Sequence, residues 1–247
     1  QRQMCIRDRG RADVEKLTSL PVIGDIPLAD EKSGSIAVFE NHNNLMSETF
    51  RNVRTNLQFM LENGKNVILV TSTISGEGKS FVSSNLAISL SLLGKKVVIV
   101  GLDIRKPGLN KVFNISQKEH GITQFLTNPT KNLMDLVQPS DINKNLFILP
   151  GGSVPPNPTE LLARDGLEKA IETLKANFDY VILDTAPVGM VTDTLLIGRT
   201  ADLSVYVCRA DYTRKAEFTL INELMENNKL PNPVSYTHLT LPTKRIV

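Results

Sequence analysis

The residues with the clearest chemistry lie in the segment 71–80, TSTISGEGKS, which ends in Gly78, Lys79 and Ser80. An apolar run precedes this segment and a helix-like stretch follows it, so it connects a predicted strand to a predicted helix. In such a loop, backbone N–H groups and the N-terminus of the next helix bind phosphate oxygens. The pattern therefore predicts a phosphate-binding loop; the alternative is an ordinary Gly-Ser turn between a strand and a helix.

Different positions of this loop are suited to different tasks. Lys79 is expected to reach the β- and γ-phosphates of a nucleotide, and the Ser80 hydroxyl is expected to bind Mg²⁺. Thr73 departs from the usual G-x-x-x-x-G-K-[ST] pattern, because it stands where the first glycine belongs. The predicted cofactors are ATP and Mg²⁺, and the predicted nucleotide-binding residues are Ser75, Gly76, Glu77, Gly78, Lys79, Ser80 and Phe81.

Two further motifs place carboxylates after predicted strands. One strand ends in Asp184, which is suited to bind Mg²⁺ directly or through water. Another leads into Asp103, which can face the same metal ion, and Arg105, which can pair with Asp103 or with a phosphate. The alternatives are a helix cap for Asp184 and a solvated loop with an internal ion pair for the other two. The predicted metal ligands are Ser80, Asp103 and Asp184, and the predicted catalytic residues are Lys79, Asp103, Arg105 and Asp184.

The elements that must position these residues alternate between strand and helix. Strands are predicted near 66–71, 97–102, 146–149, 180–184 and 203–207, and crossover helices at 79–93 and 159–177. Several of these strands are nearly continuous apolar runs, which is typical of a parallel sheet covered by helices. The predicted fold is a doubly wound, mostly parallel α/β sheet of the P-loop NTPase type with helices on both faces. Such sheets bind ligands at the carboxyl ends of their strands.

The composition limits the possible partners. The chain has 247 residues, a formal net charge of +2 and 41% hydrophobic residues, which indicates a soluble α/β domain and gives no reason to expect nucleic acid as a partner. No apolar run approaches the roughly 18 residues of a membrane-spanning helix. The histidines and cysteines show no metal-ligand spacing, and Cys208, at the end of an apolar run, is predicted to be a buried thiol.

The two ends of the chain do not continue the patterns beside them. Residues 1–11, QRQMCIRDRGR, and 233–247, PVSYTHLTLPTKRIV, resemble translated sequencing-adapter read-through at the ends of assembled metagenomic genes. We hypothesise that both ends are non-native, the alternative being ordinary variable termini. The expected division is a non-native end and linker at 1–13, a lead-in at 14–46, a main domain at 47–232 and a second non-native end at 233–247.

A helix predicted at 47–61 has two distinct stripes. Its apolar stripe consists of Phe50, Val53, Leu57 and Met60, and its charged stripe consists of Glu48, Arg51 and Arg54. A face of Glu and Arg residues three positions apart is usually a solvated helix surface.

Phosphate loop, D-x-R sequence and strand-ending aspartate, in this order, resemble the bacterial tyrosine kinases of capsular and exopolysaccharide biosynthesis. Three other segments extend the resemblance. Residues 17–24 (LTSLPVIG) resemble the segment that follows the last membrane helix of that family. Residues 48–56 (ETFRNVRTN) resemble its E-x-x-R-x-x-R oligomerisation helix. Residues 149–162 (LPGGSVPPNPTELL) resemble its proline-rich segment. The similarity covers roughly residues 14–232.

This resemblance implies an ATP-dependent protein-tyrosine kinase that phosphorylates itself in trans. It implies a ring-shaped homo-oligomer joined through Glu48, Arg51 and Arg54, and protein tyrosine acceptors as substrates. It also implies partners in the polysaccharide polymerisation and export machinery. The full-length protein would lie at the cytoplasmic side of the bacterial inner membrane, whereas the present chain is expected to be a soluble fragment.

Two features depart from the family pattern. The usual D-x-D-x-R motif has Gly101 in place of its first aspartate, which is a candidate for accepting the proton of the acceptor tyrosine, so Asp103 is expected to serve instead. The tyrosine-rich tail is also absent, and we expect that it was removed together with the final strand. The tyrosines of the chain are Tyr180, Tyr206, Tyr212 and Tyr236.

Two other functions are compatible with these motifs. One is a switch-type ATPase resembling the chromosome-partition and division-site family, but those proteins carry a second lysine where this chain has Ile74. The other is an ATP-sensing module without kinase activity that regulates export by assembling and disassembling, and the Gly101 departure is compatible with it.

Overall fold

The centre of the structure is an eight-stranded sheet whose middle strands are buried on both faces. This computed structural model describes residues 11–27, 34–40, 44–61, 64–115 and 119–238. The strands are β1 (Val22–Ile26), β2 (Val67–Ser72), β3 (Val97–Gly101), β4 (Gln138–Pro139), β5 (Leu146–Leu149), β6 (Tyr180–Asp184), β7 (Leu203–Arg209) and β8 (Pro233–His238). The helices are α1 (Arg11–Leu17), α2 (Leu45–Met60), α3 (Lys79–Ser91), α4 (Leu109–Val112), α5 (Ile122–Thr127), α6 (Pro158–Leu162), α7 (Gly166–Asn177), α8 (Asp193–Gly198) and α9 (Glu217–Glu226).

The strand order is β1-β8-β7-β2-β6-β3-β5-β4, and every neighbouring pair is parallel except β4 and β5. All five predicted strands are present, and the predicted doubly wound, mostly parallel fold is confirmed. Strand β6 lies between β2 and β3, so the loops that follow these three strands meet at one edge of the sheet. That edge holds the predicted site.

Helices cover both faces of the sheet, as predicted. On one face α2 and α3 bury Phe50, Leu57 and Leu86 in a core that also includes side chains of β2 and β3. On the other face α5 and α7 bury Leu126 and Leu174 in a second core. Because both faces are apolar and covered, the central strands need no polar alternation.

Helix α2 extends from Leu45 to Met60, close to the predicted bounds. The side chain of Asn44 accepts a hydrogen bond from the Ser47 N–H at 2.8 Å and caps the helix, which begins two residues earlier than predicted. Phe50, Val53 and Leu57 are buried as expected. Met60, the last residue of the helix, is 39% exposed and does not join this buried stripe.

The single crossover helix predicted at 159–177 is wrong: the structure has two helices, α6 and α7, separated at 163–165. Helix α6 begins at Pro158, one residue before the predicted start, and the Asn157 side chain makes no capping hydrogen bond. The second helix begins at Gly166, which packs against Leu126 of α5, so that a Cβ added at Gly166 would lie 3.6 Å from the Leu126 carbonyl oxygen. Glycine is a poor residue for continuing a helix, and the break lets α7 turn onto α5.

The lead-in at 14–46 is packed onto the main domain in its described parts. Strand β1 forms one end of the sheet beside β8. The backbone N–H groups of Ala37 and Val38 donate to the Asn85 side-chain oxygen at 2.8 and 3.1 Å, and Asn85 is fully buried in α3. These contacts join the segment before α2 to the helix that follows the phosphate loop.

The sequence pattern predicted no strand at residues 233–238, yet they form β8 between β1 and β7. The parallel register pairs Val205 with Val234 and Tyr206 with Ser235. Backbone pairing does not require the clean polar–apolar alternation that the sequence lacks here, since Val234 and Ser235 are both buried between neighbours. The hypothesis that both ends are non-native stays a prediction, and residues 1–10 and 239–247 lie outside the described residues.

Among the described residues, no helix combines the length and the apolar character that crossing a membrane requires.

Candidate active site

The loop between β2 and α3 has the backbone shape of a phosphate cradle. Gly76 and Gly78 have φ angles of +91° and +96°, in the left-handed region that favours glycine. Thr73 is not among the residues with positive φ, so the backbone there does not require the glycine of the usual motif. Its hydroxyl instead forms a short contact with the Tyr206 hydroxyl in β7, which anchors the start of the loop.

A buried carboxylate supports this loop from behind. Glu77 is fully buried and accepts hydrogen bonds from the Ile74 N–H at 2.8 Å and from the Thr213 hydroxyl. Burial raises the pKa of Glu77, and the hydrogen bond from Thr213 opposes this rise. The side chain of Glu77 therefore supports the loop, and only the backbone of Glu77 remains for a contact with phosphate.

The end of β7 and the segment that follows it also hold the outer side of the loop. The Tyr212 hydroxyl donates to the Ser75 carbonyl at 2.9 Å, and the Arg209 guanidinium donates to the Gly76 carbonyl at 3.1 Å. With both carbonyl groups bound from outside, the peptide N–H groups of the loop are held facing the other way. Neither Arg209 nor Tyr212 was predicted from the sequence.

Asp184 lies directly beside the phosphate loop. The Ser80 hydroxyl donates to Asp184 Oδ2 at 2.7 Å, and Asp184 Oδ1 is buried without a hydrogen-bond partner among the described residues. Burial raises the pKa of Asp184 to about 6, although the Ser80 hydrogen bond and the Lys79 charge oppose it. A buried carboxylate oxygen without a partner, next to a hydroxyl, fits a hard divalent cation such as Mg²⁺.

Asp103 is fixed next to Asp184 by backbone hydrogen bonds. The N–H groups of Leu102 and Asp103 donate to the Asp184 carbonyl at 2.8 and 3.0 Å. Asp103 Oδ1 accepts from the Lys106 N–H at 3.1 Å. Burial raises the pKa of Asp103, while this hydrogen bond and the charge of Lys79 oppose the rise. The predicted meeting of the two acidic residues at one edge is therefore observed.

These residues surround a cavity of about 310 Å³. Of the predicted nucleotide-binding residues, all except Glu77 line it, and Asp103 and Arg105 line it from the β3 side. The opposite wall is largely apolar and consists of Ala186, Pro187, Met190 and Val191. The cavity thus joins cationic and hydroxyl groups for phosphate to an apolar surface.

The sequence predicts Asp103 or a phosphate as the partner of Arg105. Arg105 does not form an ion pair with Asp103; instead it binds Asp193, with its Nε donating at 2.7 Å and its Nη2 at 3.0 Å. Sequence reasoning missed Asp193. A weak signal was available, since a threonine and an aspartate begin a helix shortly after Asp184, but that pattern is also typical of an ordinary helix start.

Gly101 lies at the end of β3, paired in register with Asp184. A Cβ at this position would come within 3.0 Å of the Gly151 backbone nitrogen and 3.5 Å of Leu109 Cδ1. The position that usually has an aspartate is therefore closely packed against the backbone that follows β5. A side chain there requires a small movement of Gly151.

The charged stripe of α2 divides into two parts. Arg51 pairs with Glu48 on the same helix, and both side chains are well exposed, at 37% and 53%. Arg54 instead donates to the Ser89 carbonyl of α3 at 2.6 Å and is partly buried. Thus Glu48 and Arg51 face solvent, whereas Arg54 also joins two helices of its own chain.

The tyrosines and the thiol lie largely as predicted. Tyr180 and Tyr206 belong to β6 and β7, and Tyr206 is buried. Tyr212 is 45% exposed beside the phosphate loop, and Tyr236 belongs to β8. Cys208 is a buried free thiol, and burial raises its pKa strongly. No cluster of three or more His, Cys, Asp or Glu side chains suited to a metal ion is found in the described parts of the chain.

Comparison with known proteins agrees with this geometry. A family model described as an AAA domain matches residues 65–215. The tyrosine-protein kinase CpsD of Streptococcus agalactiae is 35% identical over 181 residues, covering 73% of this chain and 78% of that protein. The crystal structure of the chimerical protein CapA2B2 matches with a TM-score of 0.84 at 32% identity, covering 95% of this chain and 100% of that one.

The kinase domain of the Escherichia coli tyrosine kinase ETK also matches, with a TM-score of 0.84 at 26% identity over 96% of each chain. The family resemblance found in the sequence is thereby confirmed. The nucleotide loop of the chain, its strand order and its relatives support the same assignment. The chain belongs to the bacterial tyrosine-protein kinases.

Proposed function

We propose that this protein transfers the γ-phosphate of ATP to tyrosine side chains and thereby regulates capsular or exopolysaccharide polymerisation and export. The observation that carries the proposal is the convergence of Lys79, Ser80 and Asp103 at one cavity, with the buried Asp184 hydrogen-bonded to Ser80 directly behind it. Phosphoryl transfer needs positioning and charge stabilisation more than a strong base, and these residues supply both.

Each residue has a separate role in the proposed reaction. Lys79 binds the β- and γ-phosphates, and the loop N–H groups orient them. Ser80 and Asp184 would hold Mg²⁺, which neutralises charge on the phosphate oxygens. Asp103 faces the cavity from the β3 side and accepts the proton of the acceptor hydroxyl as the new P–O bond forms. The apolar wall around Met190 and Pro187 excludes water beside the acceptor ring.

The direct test incubates the chain with Mg·ATP and a tyrosine-containing peptide and measures both phosphotyrosine and free phosphate. The kinase proposal expects phosphotyrosine in the wild-type chain and none with Lys79→Met. A matched control is Lys169→Met, on the exposed surface of α7, which is expected to retain full activity. Phosphate release without phosphotyrosine would instead indicate a switch-type ATPase.

An ATP-sensing module without transfer is a second candidate, because Gly101 removes a carboxylate that the related kinases usually have. This candidate expects nucleotide binding without either product. Calorimetric titration with ADP·Mg and ATP·Mg, performed on the same preparation, separates a chain that binds but does not react from one that does not bind.

We also propose that the chain acts within a homo-oligomer joined through the charged face of α2. The Glu48–Arg51 pair supports this proposal, since both side chains lie at the surface of α2, 53% and 37% exposed. Arg54 differs from these two residues, because it already binds the Ser89 carbonyl group of its own chain. Each subunit would then present a tyrosine to the active site of the next.

Sedimentation of two single variants tests this division. Arg51→Ala is expected to reduce the oligomer. Arg54→Ala is expected to lower the melting temperature as well, because it leaves a partly buried carbonyl without its donor. An unchanged sedimentation profile for both variants would contradict the interface.

The assembled protein is proposed to act at the cytoplasmic side of the bacterial membrane, with partners in the polysaccharide export machinery. The support is the family resemblance together with the kinase relatives. Capsule produced by a deletion strain that expresses either the wild-type chain or Lys79→Met provides the test. Equal capsule in the two strains would show that regulation does not require nucleotide-dependent transfer.

A further inference from the structure

One carboxylate near the cavity has no role in the proposed transfer as it stands. We propose that Asp193, assisted by Thr159, is a positioning residue that orients the Arg105 guanidinium toward the transferring phosphate. This inference rests on the proposed kinase function and adds a residue to it. Its support comes from geometry, burial and the origin of the three side chains in separate elements.

The contact between Asp193 and Arg105 fixes orientation as well as position. Arg105 Nε donates to Asp193 Oδ2 at 2.7 Å, and Nη2 donates to Oδ1 at 3.0 Å. Two parallel hydrogen bonds between a planar guanidinium and a planar carboxylate define the plane of the arginine group. A single hydrogen bond would leave that plane free to rotate.

Thr159 closes the arrangement into a triangle. Its hydroxyl accepts from Arg105 Nη2 at 2.9 Å and donates to Asp193 Oδ1 at 2.8 Å. Thr159 belongs to α6 in the proline-rich segment, Asp193 begins α8, and Arg105 follows β3. The guanidinium is therefore held from two helices that pack beside the loop.

Asp193 is much more deeply buried than Arg105, so the arginine is held from its interior side. Asp193 is 1% exposed, whereas Arg105 is 38% exposed and lines the cavity together with Lys79 and Asp103. The carboxylate thus holds the guanidinium from the interior while another edge of it faces the site. Burial by itself would raise the pKa of Asp193, but the hydrogen bonds from Arg105 and Thr159 lower it, so the carboxylate stays charged at neutral pH.

A held guanidinium assists phosphoryl transfer because it needs no reorientation when charge shifts among the phosphate oxygens. An arginine without Asp193 keeps its charge but samples several orientations. We therefore expect the loss of Asp193 to affect turnover more than nucleotide binding. A purely structural ion pair would instead affect stability alone.

Asp193→Asn is the first variant, because it keeps the shape and removes the charge. Its kcat is expected to fall about 10- to 100-fold, by analogy with groups that orient metal ligands through hydrogen bonds, with a much smaller change in KM for ATP. Thr159→Val, which removes the hydroxyl alone, is expected to lower kcat several-fold and serves if Asp193→Asn folds poorly. The matched control is Glu168→Gln, which breaks the exposed Arg199–Glu168 ion pair beyond the other end of α8.

A double-mutant cycle distinguishes positioning from general stabilisation. In an Arg105→Ala background, Asp193→Asn is expected to cause no further loss in kcat, because its effect passes through Arg105. Equal losses in both backgrounds, or a lower melting temperature with unchanged kcat, would overturn the proposal.

The inference remains testable if the kinase function itself fails. Should the wild-type chain bind nucleotide but transfer no phosphate, the ratio of ATP·Mg to ADP·Mg affinity reports on the γ-phosphate contact directly. Asp193→Asn is then expected to lower this ratio several-fold and Glu168→Gln to leave it unchanged. A ratio equal to that of the wild-type chain in Asp193→Asn would overturn the role of Asp193.

Discussion

The loops that follow β2 and β3 meet at the same edge of the sheet, yet they are built in different ways. The β2 loop contains its own glycines, lysine and serine within ten consecutive residues and is held in place by contacts behind it and on its outer side. The β3 loop has Gly101 where the family pattern has an aspartate, and its arginine is held by α6 and α8. The groups expected to bind the nucleotide are thus contiguous in the sequence, although distant segments hold their loop in place. The groups proposed for transfer come instead from several separate segments.

The largest expected effect is the loss of ATP affinity when the lysine of the β2 loop is replaced, compared with replacement of the lysine of the β3 loop. Lys79→Met is expected to lower ATP·Mg affinity by a factor of about 100 or more, because a buried cation that contacts the phosphates is lost. Lys106→Met, on the exposed β3 side of the same cavity, is expected to lower it less than about tenfold. Titration with a fluorescent ATP analogue measures both. Equal losses would show that the two loops contribute alike.

The next prediction concerns the stability of the nucleotide-free protein. Because burial raises the pKa of Asp184 from 3.8 to about 6, the folded state binds a proton more tightly than the unfolded state. The charged form therefore destabilises the fold above pH 6, by about 3 kcal/mol in total at roughly 1.4 kcal/mol for each unit of pKa. Stability is regained as the pH falls through 6 toward 3.8.

The contribution of Asp184 is isolated by comparison with Asp184→Asn, which does not titrate. Between pH 7.5 and pH 5, without metal, the free energy of unfolding of the wild-type chain is expected to rise by about 1 kcal/mol relative to the variant. Urea unfolding at each pH measures this difference. A constant difference across the range would indicate that Asp184 is not the buried titrating group.

On the β3 side, Asp103→Asn is expected to lower phosphotransfer about 100-fold, since a group that accepts the hydroxyl proton is lost. ATP affinity is expected to change little, because the phosphate loop remains intact. Rapid-quench measurement of phosphotyrosine, with binding measured in parallel, provides the test. Unchanged transfer with ATP bound would remove Asp103 from the reaction.

The smallest expected effect concerns the glycine that distinguishes the β3 loop. Gly101→Ala places a Cβ within 3.0 Å of the Gly151 nitrogen, and the resulting overpacking is expected to cost about 1 kcal/mol of unfolding free energy. Gly166→Ala is the matched control, since its Cβ would meet its neighbours at 3.6 Å or more and it lies in a helix. This control is expected to stabilise the protein slightly. Thermal unfolding of both variants tests whether position 101 is closely packed.

The sequence predictions were accurate for features set by neighbouring residues and missed those set by contacts between distant segments. The phosphate loop, Asp184 and Asp103 could be predicted because each follows a strand with a clear apolar pattern, and parallel strands bring their carboxyl ends together. The partner of Arg105 could not be predicted, because Asp193 lies 88 positions away in a segment without a distinctive pattern. The break between α6 and α7 was missed for a related reason, since it depends on how Gly166 meets α5.

Glu77 shows what position in the loop leaves undecided. Its place within the phosphate loop predicts a contact with nucleotide, but its carboxylate binds Thr213, which is 136 positions away, and is fully buried, so only its backbone is left for that contact. Whether a side chain in a loop faces the ligand or the interior depends on the elements packed behind the loop. Those elements cannot be inferred from the sequence of the loop itself.

By itself, the sequence determined the fold class, the order of the strands along the chain and the edge of the sheet at which phosphate and acidic groups meet, because these follow from hydrophobic periodicity and local backbone chemistry. The tertiary structure alone decided which charges pair, which side chains of the loop are buried and how close Gly101 and Gly151 approach. Such contacts join residues that are far apart along the chain, and their energies depend on distance, orientation and burial, which exist only once the chain has folded.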